Sequence, residues 1–452
     1  MKKVIGILLT VMTVLVMMSV MAVGVSAATY DFQGSTTAEL DDAIADMDEG
    51  DTLNVWCDTL IFNDDDGQID IGESDDNITV NFHGTKFDND LYNGTDESFF
   101  EINGDHVTLN FDGCTIENYC YEICDDPGAV FYIDGDYCTI NGNGNTTFVR
   151  SRTLADNGSF IYICNGATDC TITGCSFIDG TVNNLISGGY IYSSSDRCNI
   201  VSCHFDVFWY THSRDVPCVI GEEDGQTHII NCDPEIGYDR DGQEVNRYSN
   251  CDLHFAEDIA EGEYVICTAL DTNYNIDICC DKDGQANEAN LHLYNASESA
   301  ANKFYLIKDN GRYIIKSGYS GKVLDIAGES RANGANIYQY SDHSGDNQRW
   351  TFVPAGDGYY YIFSGFGTCM DVSGSSVANH ANIHSWTYHG GTNQKFKLVK
   401  MSDYVGSALS EGNIWIIVAV AAVVVIGVAA LFIVNKKKKP ATANAAITED
   451  GE

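Results

Sequence analysis

Three aspartates recur at matched places in the C-terminal third of the chain: Asp277, Asp325 and Asp371. Each follows an apolar residue (Ile276, Leu324, Met370). After a turn rich in Gly and Asn, each leads into a short alternating segment carrying a flat ring. These segments read Leu-His-Leu-Tyr from Leu291, Ile-Tyr-Gln-Tyr from Ile337 and Ile-His-Ser-Trp from Ile383. An Asn-Gln pair closes the second and third copies, at Asn347-Gln348 and Asn393-Gln394. These residue types suit saccharide recognition. A carboxylate accepts hydrogen bonds from hydroxyls on neighbouring sugar carbons. A flat ring covers the apolar C–H face of a pyranose, and indole offers the most area. An Asn offers both a donor and an acceptor. Solvated sites of this kind are weak singly, so several per chain are needed for avidity.

The elements that must hold these residues are short strands. Each copy opens on an aromatic-rich strand at Glu263, Arg312 or Tyr359 and ends on a matched aromatic, Phe304, Trp350 or Phe396. Alternation bounded by Gly, Asn and Ser clusters predicts strands rather than helices. A repeat of this kind builds an array whose units bury their apolar faces against one another. Three four-strand units closing on one another predict a pseudo-threefold barrel.

At these residues the chain resembles the ricin-type (R-type) lectin module, a β-trefoil. The resemblance covers about the last third of the chain before its tail. It rests on the Leu-Asp-Ile and Met-Asp-Val steps, the small-residue turn and Asn-Gln-x-Trp/Phe. It implies shallow sugar sites, up to one per unit. In the third unit these residues are Asp371, His384, Trp386, Asn393 and Gln394. In the second they are Asp325, Tyr338, Tyr340, Asn347 and Gln348. The first keeps Asp277, His292 and Tyr294, but has Ala301-Asn302 where the pair should stand. The bland alternative is a trefoil whose repeats only build its core, with the Asn-Gln side chains bracing the turns.

Upstream, residues 29–258 hold a second array. One strand recurs near Phe99, Val130, Phe160, Tyr190 and Val219, each followed by a partner strand, at a spacing of about thirty residues. Short β-branched strands separated by Gly, Asn and Asp predict a right-handed parallel β-helix. The array resembles pectate-lyase-like β-helices in architecture alone, with no catalytic motif of that group, so the resemblance carries fold and not function. A short helix near Leu40–Met47 should cap the first coil. The predicted class is therefore all-β: a β-helix over 29–258, then a β-trefoil over 259–400.

Charge narrows the partners. The net charge of −42 argues against nucleic acid, which needs basic patches, and against anionic polysaccharide unless calcium bridges it. Calcium is kept as a candidate ion and no other cofactor is expected. The acidic segment Asn63–Glu73 resembles part of an EF-hand loop, but with Gly67 at the turn the first ligand position falls on Phe62 and the motif fails. The seventeen cysteines leave two readings open. Cys114, Cys175, Cys203 and Cys232 share one phase of the array, and Cys138, Cys170 and Cys198 another. Stacked coils would place them one strand spacing apart, as a buried ladder of small side chains or as disulfides between coils.

An enzyme reading needs two carboxylates flanking a cleft. Asp112, Asp134, Asp179, Asp206 and Glu222 are available, and the segment from His204 to Arg214, with Trp209, Tyr210 and His212, is the best candidate cluster. The ends of the chain predict its location. Lys2-Lys3, an apolar run and Ser26-Ala27-Ala28 read as a signal peptide over 1–28. After a linker over 401–413, residues 414–434 are uncharged and apolar, enough to cross ~30 Å of hydrocarbon. Trp415 stands at the outer edge, and Lys436–Lys439 place a tail over 435–452 inside. The expected protein is a single-pass cell-surface lectin that binds glycans. A polysaccharide-degrading enzyme with an appended binding module, or a structural surface protein, is the alternative.

Overall fold

The computed structural model describes residues 27–62, 68–88, 98–117, 130–149, 152–153, 160–178, 181–182, 190–195, 197–206, 218–221, 227–233, 236–238, 244–249, 251–278, 285–295 and 300–402. Both apolar terminal runs, at 4–25 and 414–434, lie outside them. Among the described residues no helix is long and apolar enough to cross a membrane.

The N-terminal array is a solenoid of parallel strands. Segments such as Thr-Leu-Asn-Val at Thr52–Val55 and Thr-Val-Asn-Phe-His at Thr79–His83 alternate polar and apolar residues, so one face turns inward. They stack in register: Thr29, Thr52, Thr79, Thr108, Thr139 and Thr171 form one outward column. Asn54, Asn81, Asn110 and Asn141 form the next. A second sheet runs through Ile69–Ile71, Phe100–Ile102, Phe131–Ile133, Ile161–Ile163, Ile191–Ser193, Val219–Gly221 and Tyr248–Ser249. These match the recurring strand of the sequence.

In-register parallel stacking places like residues one strand spacing apart, close to the distance at which offset rings stack. Phe82 and Phe111 lie 4.8 Å apart at 4°, Phe148 and Phe177 5.2 Å apart at 16°, and Phe177 and Phe205 5.4 Å apart at 11°. All are buried. The cysteines follow the same rule. Thr146 fills the place between Cys114 and Cys175 in one column, and Cys138, Cys170 and Cys198 form the other. The described cysteines are free thiols. Sγ of Cys114, Cys138 and Cys170 donates to the backbone carbonyls of Phe82, Gly104 and Gly135, so these thiols act as small apolar side chains with a weak donor. Burial pushes the Cys114 thiol up to about 11.

The capping helix is Thr37–Ala45, three residues earlier than the sequence suggests. A capping box sets its start. Thr36 Oγ1 accepts from Glu39 N (3.3 Å), and Glu39 Oε2 accepts from Thr36 N (3.3 Å) and Ser35 N (2.9 Å). Leu40 and Ile44 then bury completely over the first coils.

From Gly262 onward, twelve strands form one antiparallel sheet in three four-strand units. It closes where Gly262–Thr268 pairs with Lys395–Lys400. Phe304, Trp350 and Phe396 sit in its core with no exposure. The third strands of the units meet on the pseudo-threefold axis, where three asparagines close a ring. Asn290 Nδ2 donates to Asn382 Oδ1 (2.9 Å), Asn382 Nδ2 to Asn336 Oδ1 (3.0 Å), and Asn336 Nδ2 to Asn290 Oδ1 (2.8 Å).

The two domains touch through an apolar cluster of Val201 and Ile230 with Val353, Tyr361, Phe363 and Cys369. Beside it, Arg331 lies 4.0 Å over the Phe366 ring and donates to Asn143 O (2.8 Å). Gly144, at φ +65°, meets Arg331 and Phe366 so closely that a Cβ would collide with both.

Breaking the asparagine ring strands two amides at a crowded axis. Asn336→Ala should therefore lower the stability of the trefoil by about 1–3 kcal/mol, read as a lower urea midpoint with unchanged m.

Candidate functional site

The three aspartates occupy equivalent positions. Each sits on the second strand of its unit and faces a residue of the third strand: Asp277 faces His292, Asp325 faces Tyr338 and Asp371 faces His384. Two residues further along that strand the side chain returns to the same face, which puts Tyr294, Tyr340 and Trp386 beside the carboxylates. All the carboxylates are deeply buried, whereas Trp386 is 38% and Tyr294 36% exposed. Each site is thus an acid at the bottom and a ring at the rim.

In the third unit Asp371 holds three partners. His384 Nε2 lies 3.0 Å from Oδ1, His389 Nε2 lies 3.0 Å from Oδ2, and Asn393 Nδ2 donates to Oδ2 at 2.8 Å. Burial pushes the Asp371 carboxyl up, but the hydrogen bonds from His384 and His389 outweigh it and hold the carboxyl below its ordinary range. The Trp386 indole stands 5.1 Å from the His384 ring. The loop of the second unit supports it, as Asn333 Oδ1 accepts from Thr387 N and Oγ1 (2.6 and 2.9 Å).

The second unit repeats this with fewer donors. Asp325 Oδ2 accepts from Gln348 Nε2 (2.7 Å) and lies 3.1 Å from His343 Nε2. Burial dominates here and raises the Asp325 carboxyl, against the Gln348 and His343 hydrogen bonds. Tyr338 and Tyr340 are 5.9 Å apart, and Tyr340 meets His343 edge-on at 6.2 Å. In the first unit His292 Nε2 is 3.8 Å from Asp277, too far for a hydrogen bond. Burial raises that carboxyl to about 6, with His380 opposing. His380 comes from the third unit and packs against His292 (4.7 Å) and Tyr294 (5.4 Å).

The Asn-Gln pairs serve the fold as well as the site. Gln348 and Gln394 are fully buried. Their Oε1 atoms accept from the backbone N–H of His343 and His389, and their amides donate to Ser341 O and Thr387 O. Asn347 is buried and donates to Ile326 O (3.2 Å). Asn393 remains at the carboxylate.

His343 and His389 are the residues that sequence reading missed. Their signal was present: His343-Ser344-Gly345 and His389-Gly390-Gly391 precede the two Asn-Gln pairs at the same distance. A Cβ at Gly345 or Gly391 would collide with both the imidazole and the Asn side chain, so glycine is what lets these groups converge.

On the solenoid, the enzyme candidates are scattered. Asp112 and Asp134 are exposed and Asp206 half-buried. His204 Nδ1 lies 3.0 Å from Asp233, whose hydrogen bond raises the imidazole. Asp179, Trp209, Tyr210, His212, Arg214 and Glu222 lie outside the described residues, as do residues 63–67 of the acidic calcium candidate. One metal-competent group appears that no sequence spacing announced. His228 faces Asp252 across adjacent coils and His254 follows two residues on. Their nitrogens lie 3.2 and 2.9 Å from Asp252 Oδ2.

Residues 300–386 and 346–410 match the ricin-type β-trefoil lectin domain-like family. Among solved structures, the chain is similar to a designed threefold-symmetric protein, ThreeFoil, at 32% identity over 31% of this chain and 99% of that one, with a TM-score of 0.30. It is also similar to an exo-β-1,3-galactanase from Clostridium thermocellum, at 28% identity over 37% of each chain and a TM-score of 0.29. A third is a ricin B-like lectin of Macrolepiota procera in complex with lactose, at 16% identity over 32% of this chain and 99% of that one, TM-score 0.27. No curated protein matches the chain. Residues 300–410 carry a ricin B-type lectin-like domain, set behind a β-solenoid.

A carboxyl raised to about 6 in the folded state favours folding below about pH 4 and loses that contribution as pH rises through 6. Asp277→Asn should therefore stabilise the protein by roughly 1–3 kcal/mol at pH 7.5 and hardly at all at pH 4. Thermal melts of both forms at the two pH values check the sign.

Proposed function

We propose that this protein is a cell-surface lectin that captures neutral glycans through its C-terminal trefoil, with the third unit as its principal site. The observation that carries the reading is the pairing of a half-exposed indole, Trp386, with an ionised carboxylate held in place by two imidazoles and an amide. An ionised carboxylate offers about four acceptor positions, and three are taken at Asp371, which leaves one for a sugar hydroxyl. The indole supplies the apolar face against which the pyranose stacks. His389, exposed at the rim, stands where a second hydroxyl would lie.

The second unit, with Tyr338, Tyr340, Asp325 and His343, is the next site in strength. The first, with Asp277, His292 and Tyr294, holds its acid less firmly and ranks last. A net charge of −42 disfavours anionic polysaccharide and leaves neutral sugars as the ligand class. We read residues 1–28 as the export signal and 414–434 as a membrane anchor, a reading that rests on the sequence. Many tethered copies, each with more than one weak site, would supply avidity for adhesion or glycan capture.

A glycan array with the chain from Thr29 to Ser402 tests this. Trp386→Ala should weaken binding about tenfold, equivalent to ~1.4 kcal/mol, and Trp386→Ala with Tyr340→Ala should remove most of it. An unmodified chain that retains no glycan, or a double variant that binds as well as its parent, would sink the reading.

A further inference from the structure

One column on the outer face of the solenoid changes character along its length. The column that begins Asn54, Asn81, Asn110, Asn141 continues through Thr173 to Val201 and Ile230. It turns apolar at the two residues on which the trefoil is seated. Upstream of that seat it stays polar, and there the two domains diverge around open space. Two adjoining cavities of about 710 and 660 Å³ fill it, sharing Asn110, Asn141 and Asn333 as lining residues. Each falls within the range of small-molecule clefts, about 300–1,000 Å³.

The walls have the chemistry of a sugar site. Along the floor Asn110 donates to Asn81 (2.9 Å), and Asn81 to Asn54 (2.9 Å). Asn81 and Asn110 each spend one N–H and one lone pair on this ladder, which leaves a second of each for a ligand. The amides recur at one strand spacing, ~4.8 Å, along the solenoid axis. Flat rings stand where the floor ends. Tyr137, 46% exposed, stacks on His106 at 4.7 Å and 5°, and lines the same cavity as Trp386 and Thr387. At the other cavity His83 is stacked on exposed Trp56 at 3.9 Å and 11°. Stacking holds these rings in place before any ligand arrives, which lowers the ordering cost of binding. The charged lining is mainly acidic, with Asp112, Asp169 and Glu329 against Arg331, so an anionic chain is disfavoured.

We propose that this cleft binds an extended neutral polysaccharide chain, lying along the solenoid axis with the third trefoil unit at one end. The inference rests on the lectin reading and deepens it. The third site takes a stretch of several sugar rings, whereas the second and first sites take a single sugar. The solenoid then explains its own position beside the trefoil: it supplies the floor of the groove.

Calorimetric titration of the full chain tests this, first with soluble galactan, xylan, mannan and β-glucan. Mono- to hexasaccharides of whichever binds best follow. Affinity should rise about tenfold or more from mono- to hexasaccharide. Tyr137→Asn, which keeps a residue tolerant of the left-handed backbone there (φ 57°), should remove most of that rise and leave the monosaccharide unaffected. Asn110→Ala should do the same, with thermal melts confirming that both variants fold. Trp386→Ala should weaken every length. A length-independent affinity, or a rise untouched by both floor variants, overturns the groove, while loss of monosaccharide binding in Trp386→Ala would still uphold the lectin. Failure of the parent chain to bind any of these sugars overturns both.

Discussion

The geometry of all three trefoil sites depends on the ring of Asn290, Asn336 and Asn382. Each side chain donates to one neighbour and accepts from the other, so the ring closes only when the three third strands stand at equal angles about the axis. Those strands carry Tyr294, Tyr340 and Trp386. A second asparagine in each unit carries the constraint outward. Asn287 accepts from Ser341 N, Asn333 from Thr387 N and Asn379 from Asn295 N, so each unit's loop fixes the strand end of another unit. The same loops bring His380 to the first site. A site in this domain is therefore a joint product of two units, and none can be altered without its neighbour sensing the change.

Within that frame the three sites differ through local electrostatics. The aspartates are almost equally buried, so the desolvation cost is similar. Two imidazoles and an amide overcome it at Asp371; one imidazole and an amide do so only partly at Asp325; at Asp277 the facing imidazole of His292 stands back at 3.8 Å, and the carboxyl rises to about 6. The direction in which each carboxyl moves follows from the hydrogen bonds its unit places around the acid.

Much of this was legible in the sequence because repetition was legible. The matched aspartates, the core aromatics and the thirty-residue spacing each point to an array, and the strands fall where alternation places them. The two cysteine columns could be phased for the same reason. What could not be read was anything set by a side chain's reach. His343 and His389 look like loop residues until the turn folds back over the carboxylate. His228, Asp252 and His254 are spread over a stretch of chain with no metal-site spacing, and only the stacking of coils joins them. The helix start was missed because the capping box at Thr36 and Glu39 lies ahead of the apolar residues that drew attention to Leu40. The meeting of the domains was beyond reach of any pattern, although the change from Asn and Thr to Val201 and Ile230 in one column was its trace.

The helix Thr37–Ala45 has a role beyond the first coil. A parallel solenoid ends in a raw strand edge and an open section of core, and both invite another copy to continue the stack. With Leu40 and Ile44 plugging the opening, the apolar section of core is withdrawn from such end-to-end growth at that end. Neighbouring copies of the chain can then remain separate units rather than successive turns of one stack.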